Sequence, residues 1–204
     1  MGRRFVAQRR SDPYYRAAQA EGLRSRAAFK LAFLADRFPI FRPGNRVLDL
    51  GAAPGGWSMV ASDRVGPRGQ VVAVDPRLVE PIPRVSVVRG IVGATDLETR
   101  LGSEPFDVVL SDMSPRISGA YATDHARSVA LVLEAWRLAQ RVLKPGGRWV
   151  AKVFDGDLLP ETEAQMRPAF DRWQRTKPPA SREQSSELYL LGFGFHPGAR
   201  GEKP

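Results

Sequence analysis

Short β-branched runs alternate with longer stretches of helical spacing along this chain, and no other feature limits its possible folds so strongly. The runs are strand candidates and lie at 46–50, 71–75, 85–88, 106–112, 148–154 and 188–195. Helical spacing appears at 14–37, 57–64, 123–143 and 161–175, and KPGG after the third of these predicts a helix stop and a turn. The alternation predicts an α/β fold, a doubly wound parallel sheet with helices on both faces.

The size of the chain fits a single domain spanning residues 1–204. A chain of 204 residues, 43% of them hydrophobic, can bury a sizeable core, whereas two full domains would be crowded. No stretch approaches the ~20 apolar residues of a membrane span, and the N-terminus runs into polar sequence without an apolar signal region. We therefore expect a soluble, cytoplasmic protein without a membrane partner, and we expect it to act as a monomer.

Cysteine and histidine usage excludes several kinds of site. The chain has no cysteine, so neither a disulfide nor a thiol nucleophile is available. The two histidines, His125 and His196, are far apart and lack the spacing of metal ligands. We therefore expect no zinc or iron–sulfur site and no other bound metal.

The positive charge is concentrated near the N-terminus. The formal net charge is +9, and residues 1–30 carry eight basic and two acidic side chains, so this segment alone supplies most of the excess. A basic patch of this kind suits a polyphosphate partner such as RNA, through Coulomb attraction and counterion release. The alternative from charge alone is an arginine-rich surface that only keeps the protein soluble.

A loop of small residues follows the first strand candidate and resembles a nucleoside-binding loop. It reads DLGAAPGGW (49–57), and its glycines allow the backbone to pass close to a ligand. The second strand candidate ends at Asp75, where a carboxylate can accept hydrogen bonds from a ribose diol. The loop lacks the G-x-G-x-x-G spacing of dinucleotide sites, which argues against a nicotinamide-dependent oxidoreductase. The alternative is that the glycines only shape a tight turn.

Two charged residues stand in strands that are otherwise apolar. Lys152 lies in RWVAKVF (148–154) and Asp112 closes FDVVLSD (106–112). An ammonium in a buried strand loses its hydration and needs partners. If the two strands are neighbours, these side chains meet at the sheet edge that also carries the loop 49–57. We interpret them as part of a functional site, and the alternative is a structural ion pair.

Five segments, in order, resemble the FtsJ/RrmJ family of S-adenosylmethionine-dependent RNA ribose 2′-O-methyltransferases. They are GLRSRAAFKL (22–31), VLDLGAAPGGWS (47–58), VLSDMSPRISG (109–119), LKPGGRWVAKVFDG (143–156) and KPPASREQSSELYLLGFGF (177–195). The resemblance runs from about residue 12 to residue 195. It implies a single-domain Rossmann-like fold with a mostly parallel seven-stranded sheet, and a uridine of 23S ribosomal RNA in the large ribosomal subunit as the methylated nucleotide. Methylation of transfer RNA is an alternative, as is a non-catalytic RNA-binding protein of ribosome assembly.

The same resemblance implies functional residues and a reaction. The family's catalytic tetrad falls on Lys30, Asp112, Lys152 and Glu187, and its contacts with S-adenosylmethionine fall on Gly55, Trp57, Asp75 and Asp112. The implied reaction is attack of a ribose 2′-hydroxyl on the methyl carbon of a sulfonium. Lys152 can act as the base for this hydroxyl or stay charged and stabilise the developing alkoxide, and the sequence leaves both roles open.

The chain departs from the family pattern at the end of the third strand. The family has an acidic residue there, in a position that holds the adenine, and this chain has Ile91. Ile91 can pack against the ring but cannot accept a hydrogen bond, and Asp96 is an alternative acceptor. We expect weaker but real binding of S-adenosylmethionine.

Several other residues receive individual predictions. Arg24, Arg26 and Arg182 are candidate contacts for RNA phosphates on the approach to Lys30.

His125 is predicted to be a surface or capping residue. Trp136 and Trp173 are predicted to be core residues in helices, and Asp155 and Asp157 to lie in a solvated turn at a helix start.

Overall fold

The computed structural model describes residues 24–178 and 186–198. The helices are α1 (Ala27–Arg37), α2 (Gly56–Val65), α3 (Leu97–Leu101), α4 (Tyr121–Val142) and α5 (Leu159–Met166), and a 3-10 turn covers Arg167–Ala169. The strands are β1 (Arg46–Leu50), β2 (Gln70–Asp75), β3 (Val85–Arg89), β4 (Phe106–Ser111), β5 (Leu143–Phe154), β6 (Phe170–Thr176) and β7 (Glu187–Phe195). Five of the six predicted strands are confirmed to within one residue at each end. Strand β5 begins five residues earlier than predicted, at Leu143, so the helix stop before KPGG is confirmed but KPGG itself lies within the strand.

The seven strands form one sheet in the order β3-β2-β1-β4-β5-β7-β6. The pairs from β3 across to β5 are parallel, and β7 runs antiparallel to both of its neighbours, β5 and β6. The predicted mostly parallel sheet is confirmed. From β1 the chain continues outwards to β2 and β3 and then crosses back to place β4 on the other side of β1. Ligands of doubly wound folds bind outside the carboxyl ends of the strands at such a reversal of strand order.

Apolar residues on both faces of the sheet are covered by helices. In β1, Leu48 and Leu50 join the core formed with α3, α4 and α5, while Val47 joins the core formed with α1 and α2. This division follows from the alternation of side chains along a strand, and it explains why the central strands are apolar throughout. Helices on both faces are thereby confirmed.

The prediction of a single helix over 161–175 is wrong. Helix α5 ends at Met166, Pro168 lies in the 3-10 turn, and the chain continues as strand β6. Phe170 begins this strand with its ring centroid 5.5 Å from that of Trp136 and 5.7 Å from that of Phe195. Pairing with β7 and this aromatic cluster decide the structure of the segment, because tertiary packing overrides local helical spacing. Trp173 is consequently a half-buried strand residue, whereas Trp136 is buried in α4 as predicted.

The surface prediction for His125 is also wrong. Its ring is buried in α4, with Nε2 accepting a hydrogen bond from the Leu158 N–H at 3.0 Å and Nδ1 lying 3.0 Å from the Phe154 carbonyl oxygen. Because Nε2 must accept, Nδ1 carries the proton and donates to the carbonyl. The histidine therefore ties the end of β5 to the start of α5, where Asp155 and Asp157 are exposed as predicted.

The described residues contain neither a helix suited to cross a membrane nor a cluster of potential metal ligands. No helix within 24–178 and 186–198 is long and apolar enough to cross a membrane. The same part of the chain holds no group of three or more histidine, aspartate or glutamate side chains placed to hold a metal ion.

Candidate active site

Strand register brings Asp112, Lys152 and Glu187 to one edge of the sheet, and Lys30 reaches the same place from helix α1. Ser111 of β4 pairs with Ala151 of β5, so the residues that follow them, Asp112 and Lys152, lie side by side. Across β5, Lys152 pairs with Tyr189 of β7, and Glu187 lies two residues earlier in β7 on the same face as Tyr189.

The tetrad consists of two ion pairs joined by a tyrosine. Lys152 Nζ lies 3.0 Å from Asp112 Oδ1, and Lys30 Nζ pairs with Glu187 Oε2. Tyr189 lies between the pairs, donating from its hydroxyl to Asp112 Oδ1 at 3.3 Å, while Lys30 Nζ stands 5.8 Å from its ring centroid. The structure therefore brings all four predicted catalytic residues together.

Burial explains why each ammonium needs its partner. Lys30 is 4% exposed and Lys152 is 5% exposed. Lys152 Nζ also donates to the backbone oxygen of Asp112 at 2.8 Å, so one residue supplies two acceptors to this ammonium. A buried charge is stable only when it is paired and hydrogen-bonded, and both lysines meet this condition.

The charges of the site set the protonation states of Glu187 and Tyr189. Burial raises the pKa of Glu187, but the charges of Lys30 and Lys152 outweigh it, so the pKa is lowered from its ordinary 4.5. Burial, reinforced by the charges of Asp112 and Glu187, raises the pKa of Tyr189 well above 10. Glu187 is therefore an anion and Tyr189 a neutral hydrogen-bond donor at neutral pH.

A cavity of about 700 Å³ extends from the tetrad along the ends of the parallel strands. Its size is within the ~300–1,000 Å³ range of ligand pockets. Gly51, Asp75, Gly90, Asp112 and Lys152 bring strand ends to the cavity, and the remaining lining is largely apolar. Asp112 and Lys152 thus face the cavity and belong to the tetrad at the same time.

The cavity has the backbone and acceptor groups that a nucleoside requires. Gly51 has a φ of +78°, and a Cβ there would lie 2.7 Å from Met113 Cγ, so the loop can take this path only with glycine. Asp75 ends β2 with its carboxylate at the cavity. These residues fit an adenosyl group with its ribose at Asp75.

Arg77 occupies both oxygens of the Asp75 carboxylate. Its Nε lies 3.0 Å from Oδ1 and its Nη2 lies 3.1 Å from Oδ2, and the backbone N–H groups of Arg77 and Ala53 also donate to this carboxylate. Burial raises the pKa of Asp75, but the hydrogen bonds from Arg77 outweigh this and the pKa is lowered. A ribose diol can bind both oxygens only if the exposed Arg77 side chain moves aside.

Asp49 is a buried carboxylate in β1, two residues before Gly51. Ser58 donates to its Oδ2 at 2.5 Å, while Oδ1 is buried without a hydrogen-bond partner among the described residues. Burial raises the pKa of Asp49 to about 7. The hydrogen bond from Ser58 opposes this rise, and the negative charges of Asp112 and Asp75 add to it.

Gly55 and Trp57 do not line this cavity within the described residues. Gly55 is the N-cap of α2 with a φ of +111°. Trp57 is buried, donates from Nε1 to the Ala27 oxygen at 2.9 Å and packs on Tyr189 with ring centroids 5.6 Å apart. Trp57 therefore holds α1, which carries Lys30, against the tyrosine of the site, and a cofactor contact for Gly55 and Trp57 stays a prediction.

Ile91, which stands where the family has an acidic residue, lies at the mouth of the cavity. Ile91 lines the cavity and is 63% exposed. Asp96, the alternative acceptor, forms an ion pair with Arg100 at 3.3 Å and does not line the cavity in the described part of the chain.

The predicted RNA contacts are only partly within the described residues. Arg24 donates from Nη1 to the Glu80 oxygen and from Nη2 to the Pro81 oxygen, both at 2.7 Å, so its guanidinium ties the chain before α1 to the loop after β2. Arg26 immediately precedes α1, and its charge acts on Glu187. Arg182 and residues 1–23 lie outside the described residues.

Sequence reasoning missed Tyr189, Arg77 and the burial of Asp49. Tyr189 had a signal, because it lies two residues after Glu187 in a strand and must share its face. No signal in the sequence pointed to Arg77, because the orientation of an exposed side chain depends on the partner that it contacts. Asp49 was counted with the loop, although it occupies an interior position of β1.

The sequence and the fold both match known methyltransferases. Residues 23–195 match the model of a family described as FtsJ-like methyltransferase. The Ribosomal RNA large subunit methyltransferase E of Pseudomonas aeruginosa is 43% identical over 197 residues, which cover 94% of this chain and 95% of that protein. The protein of the same name from Granulibacter bethesdensis is 44% identical over 197 residues, covering 95% of this chain and 85% of its own.

Solved structures support the same assignment of the fold. A chain described as a ribosomal RNA methyltransferase from Plasmodium falciparum superposes with a TM-score of 0.77 at 26% identity, over 84% of this chain and 98% of its own. A SAM-dependent O-methyltransferase from Thermotoga maritima gives a TM-score of 0.55 at 16% identity, over 81% and 64% of the two chains, which is a likeness of fold alone.

Proposed function

The chain belongs to the FtsJ-like methyltransferase family, and on this premise we propose that it methylates a ribose 2′-hydroxyl of 23S ribosomal RNA, at a uridine in the large ribosomal subunit, with S-adenosylmethionine as the methyl donor. The observation that carries the proposal is the shared position of Asp112 and Lys152, which line the cofactor cavity and pair with each other at 3.0 Å. A hydroxyl placed at Lys152 is therefore next to the space for the methyl donor. The names of the two bacterial relatives support ribosomal RNA as the substrate.

The reaction requires positioning and the removal of one proton. The sulfonium supplies an activated methyl group, so the oxygen–carbon bond can form as the carbon–sulfur bond breaks, without a covalent enzyme intermediate. Lys152 accepts the hydroxyl proton or, if it is already charged, stabilises the oxygen as negative charge develops. Asp112 holds the Lys152 ammonium through two acceptors, and Lys30 and Glu187 orient the hydroxyl from the other side.

The cavity residues have separate roles toward the cofactor. Asp75 is the acceptor for the ribose hydroxyls, and Gly51 lets the loop after β1 approach the ligand. Gly55 and Trp57 contribute further contacts to the methyl donor, as the resemblance to the family implies. Trp57 has a further role because it supports Tyr189 and α1.

The RNA approach is the basic segment 1–30 together with Arg182. Replacing Arg26 by alanine should weaken RNA binding and reduce its salt dependence by about one counterion. Replacing Arg24 by alanine should likewise weaken RNA binding and reduce its salt dependence. It should also lower the melting temperature, because the Arg24 guanidinium donates to two backbone oxygens of the loop after β2. Binding isotherms at several salt concentrations test this, and unchanged slopes for both variants would exclude Arg24 and Arg26 from the RNA interface. We propose that the chain acts in the cytoplasm as a monomeric single domain.

The direct experiment is transfer of labelled methyl groups from S-adenosylmethionine to substrates that lack the modification. Large ribosomal subunits, free ribosomal RNA and bulk transfer RNA are compared, and nuclease digestion with mass spectrometry locates the 2′-O-methyl nucleotide. Label in the large subunit that disappears with Lys152→Ala is the expected result. Label in transfer RNA alone would overturn the substrate, and no label in any of the three would favour a binding protein of ribosome assembly.

A further inference from the structure

The end of the cavity beside β3 is apolar apart from one carboxylate. Ile91 and Val92, in the loop after β3, line the cavity together with Leu131 and Glu134 of α4, and Glu134 lies against Gly93, the next residue of that loop. Three carboxylates line the whole cavity, those of Asp75, Asp112 and Glu134. Asp75 lies where the ribose would bind and Asp112 is paired with Lys152, which leaves Glu134 as the acidic group for whatever occupies the β3 end.

One oxygen of Glu134 is held and the other is available. Oε2 accepts a hydrogen bond from Arg137 Nη1 at 2.7 Å, three residues further along α4. Within residues 24–178 and 186–198, no donor contacts Oε1. Arg137 therefore fixes the carboxylate while leaving an acceptor for a ligand.

Gly93, in the loop after β3, lies directly against the Glu134 carboxylate. Gly93 has a φ of +93°, and a Cβ at this position would stand 2.3 Å from Glu134 Oε1. Any side chain at position 93 would displace the carboxylate. The close approach places Oε1 directly against the loop that carries Ile91 and Val92, at the cavity wall.

We propose that Glu134 Oε1 accepts a hydrogen bond from the exocyclic amino group of the adenine, so that α4 provides the base recognition that the loop after β3 lacks. This inference rests on the proposed function, because it assumes that the cavity holds S-adenosylmethionine. The apolar side chains of Ile91, Val92 and Leu131 suit the faces of an aromatic base, while a carboxylate accepts from an amino group and repels a carbonyl oxygen. Glu134 is therefore a specificity-determining residue for a 6-amino purine.

The test measures binding, without methyl transfer, of S-adenosylhomocysteine and of its analogue that lacks the 6-amino group. Hydrogen bonds to charged groups are among the stronger ones, so the wild-type protein should prefer S-adenosylhomocysteine roughly tenfold or more in Kd. In Glu134→Ala this ratio should fall close to one, because the deleted carboxylate no longer distinguishes the two ligands.

Glu98→Ala is the matched control. Glu98 is also ion-paired to an arginine of α4, with Arg141 Nε at 2.6 Å from its Oε1, but it does not line the cavity. Its ratio of dissociation constants should equal that of the wild type.

The outcomes separate this inference from the proposed function. A wild-type protein that binds S-adenosylhomocysteine while Glu134→Ala keeps the full ratio would overturn the role of Glu134 and leave the function standing. A wild-type protein that does not bind S-adenosylhomocysteine would overturn both.

If Glu134→Ala does not fold, Glu134→Gln carries the test, because it keeps the size of the side chain. Its amide can donate to a carbonyl oxygen, so preference should shift towards the 6-oxo analogue of S-adenosylhomocysteine relative to the wild type. No shift in that ratio would overturn the proposal.

Discussion

Lys152 Nζ contacts Asp112 twice, at 3.0 Å from Oδ1 and at 2.8 Å from the backbone oxygen. The two contacts come from the residue immediately after β4, so the strand itself positions the acceptors. The ammonium is thereby held at the boundary between the cofactor cavity and the tetrad. This arrangement allows the role of the lysine to be tested separately from its contribution to the fold.

Lys152→Ala should lower the rate of methyl transfer by about 10²–10⁴-fold, because it removes the group that accepts the hydroxyl proton or stabilises the developing alkoxide. Lys152→Arg keeps a positive charge that cannot be given up at accessible pH. Substantial activity in Lys152→Arg would favour electrostatic stabilisation, whereas activity as low as in Lys152→Ala is expected if the lysine is the base. Single-turnover transfer rates measure both.

Lys144→Ala is the control for this prediction, since Lys144 lies in the same strand and its Nζ is 3.1 Å from Asp107 Oδ1. This pair lies at the other end of β5, away from the cavity. Normal transfer by Lys144→Ala is expected, and an equal loss in both variants would show that the effect is structural.

Glu187→Gln should destabilise the protein, because it leaves the buried Lys30 ammonium without its anionic partner. Removing one member of a buried pair costs on the order of 3 kcal/mol. The lowered pKa of Glu187 means that the folded state favours the carboxylate, so this contribution is present above pH 4.5 and is lost as the pH falls through the folded-state pKa. Urea unfolding should show a difference in the free energy of unfolding between the wild type and Glu187→Gln that narrows on acidification. A difference independent of pH would contradict the lowered pKa of Glu187.

Asp49→Asn should stabilise the protein more at pH 8.5 than at pH 5. Because burial raises the pKa of Asp49 from 3.8 to about 7, the folded state keeps a proton that the unfolded chain releases between these values. The wild type therefore loses stability as the pH rises through this window, by at most about 4 kcal/mol, and the neutral variant does not. Melting temperatures across the range measure the effect.

Asp36→Asn provides the comparison for Asp49, since Asp36 is an exposed carboxylate paired with Arg64 at 2.5 Å. Its effect on the melting temperature should be small at every pH. If Asp49→Asn also gives a constant difference from the wild type, the raised pKa is wrong.

Arg77→Ala should tighten the binding of S-adenosylhomocysteine by a few-fold. The Arg77 side chain competes with the ribose for both oxygens of Asp75, and breaking an exposed ion pair costs up to about 1 kcal/mol. Calorimetric titration measures the gain, with Arg89→Ala as control because Arg89 Nε donates to the backbone oxygen of Pro76 at 3.0 Å, next to Asp75 but not to its carboxylate. Weaker binding by Arg77→Ala would mean that the arginine contacts the ligand instead.

The sequence alone was sufficient for the class of fold and for the family. Six strand runs and the order of five motifs predicted a mostly parallel sheet of the methyltransferase type, and both predictions are confirmed. These features are readable because they depend on local periodicity and on short segments, in which neighbours in sequence carry the pattern.

Tertiary structure decided what depends on residues far apart in the chain. The segment that begins at Phe170 is a strand because β7 and Trp136 are beside it, and His125 is buried because β5 and α5 meet at its ring. In the candidate site, motifs could predict Lys152 and Asp112, while Arg77 on the Asp75 carboxylate and Glu134 against Gly93 became visible only with the fold. Side-chain partners at such distances are set by packing and by the need of every buried charge for a counterpart, and neither is encoded in local spacing.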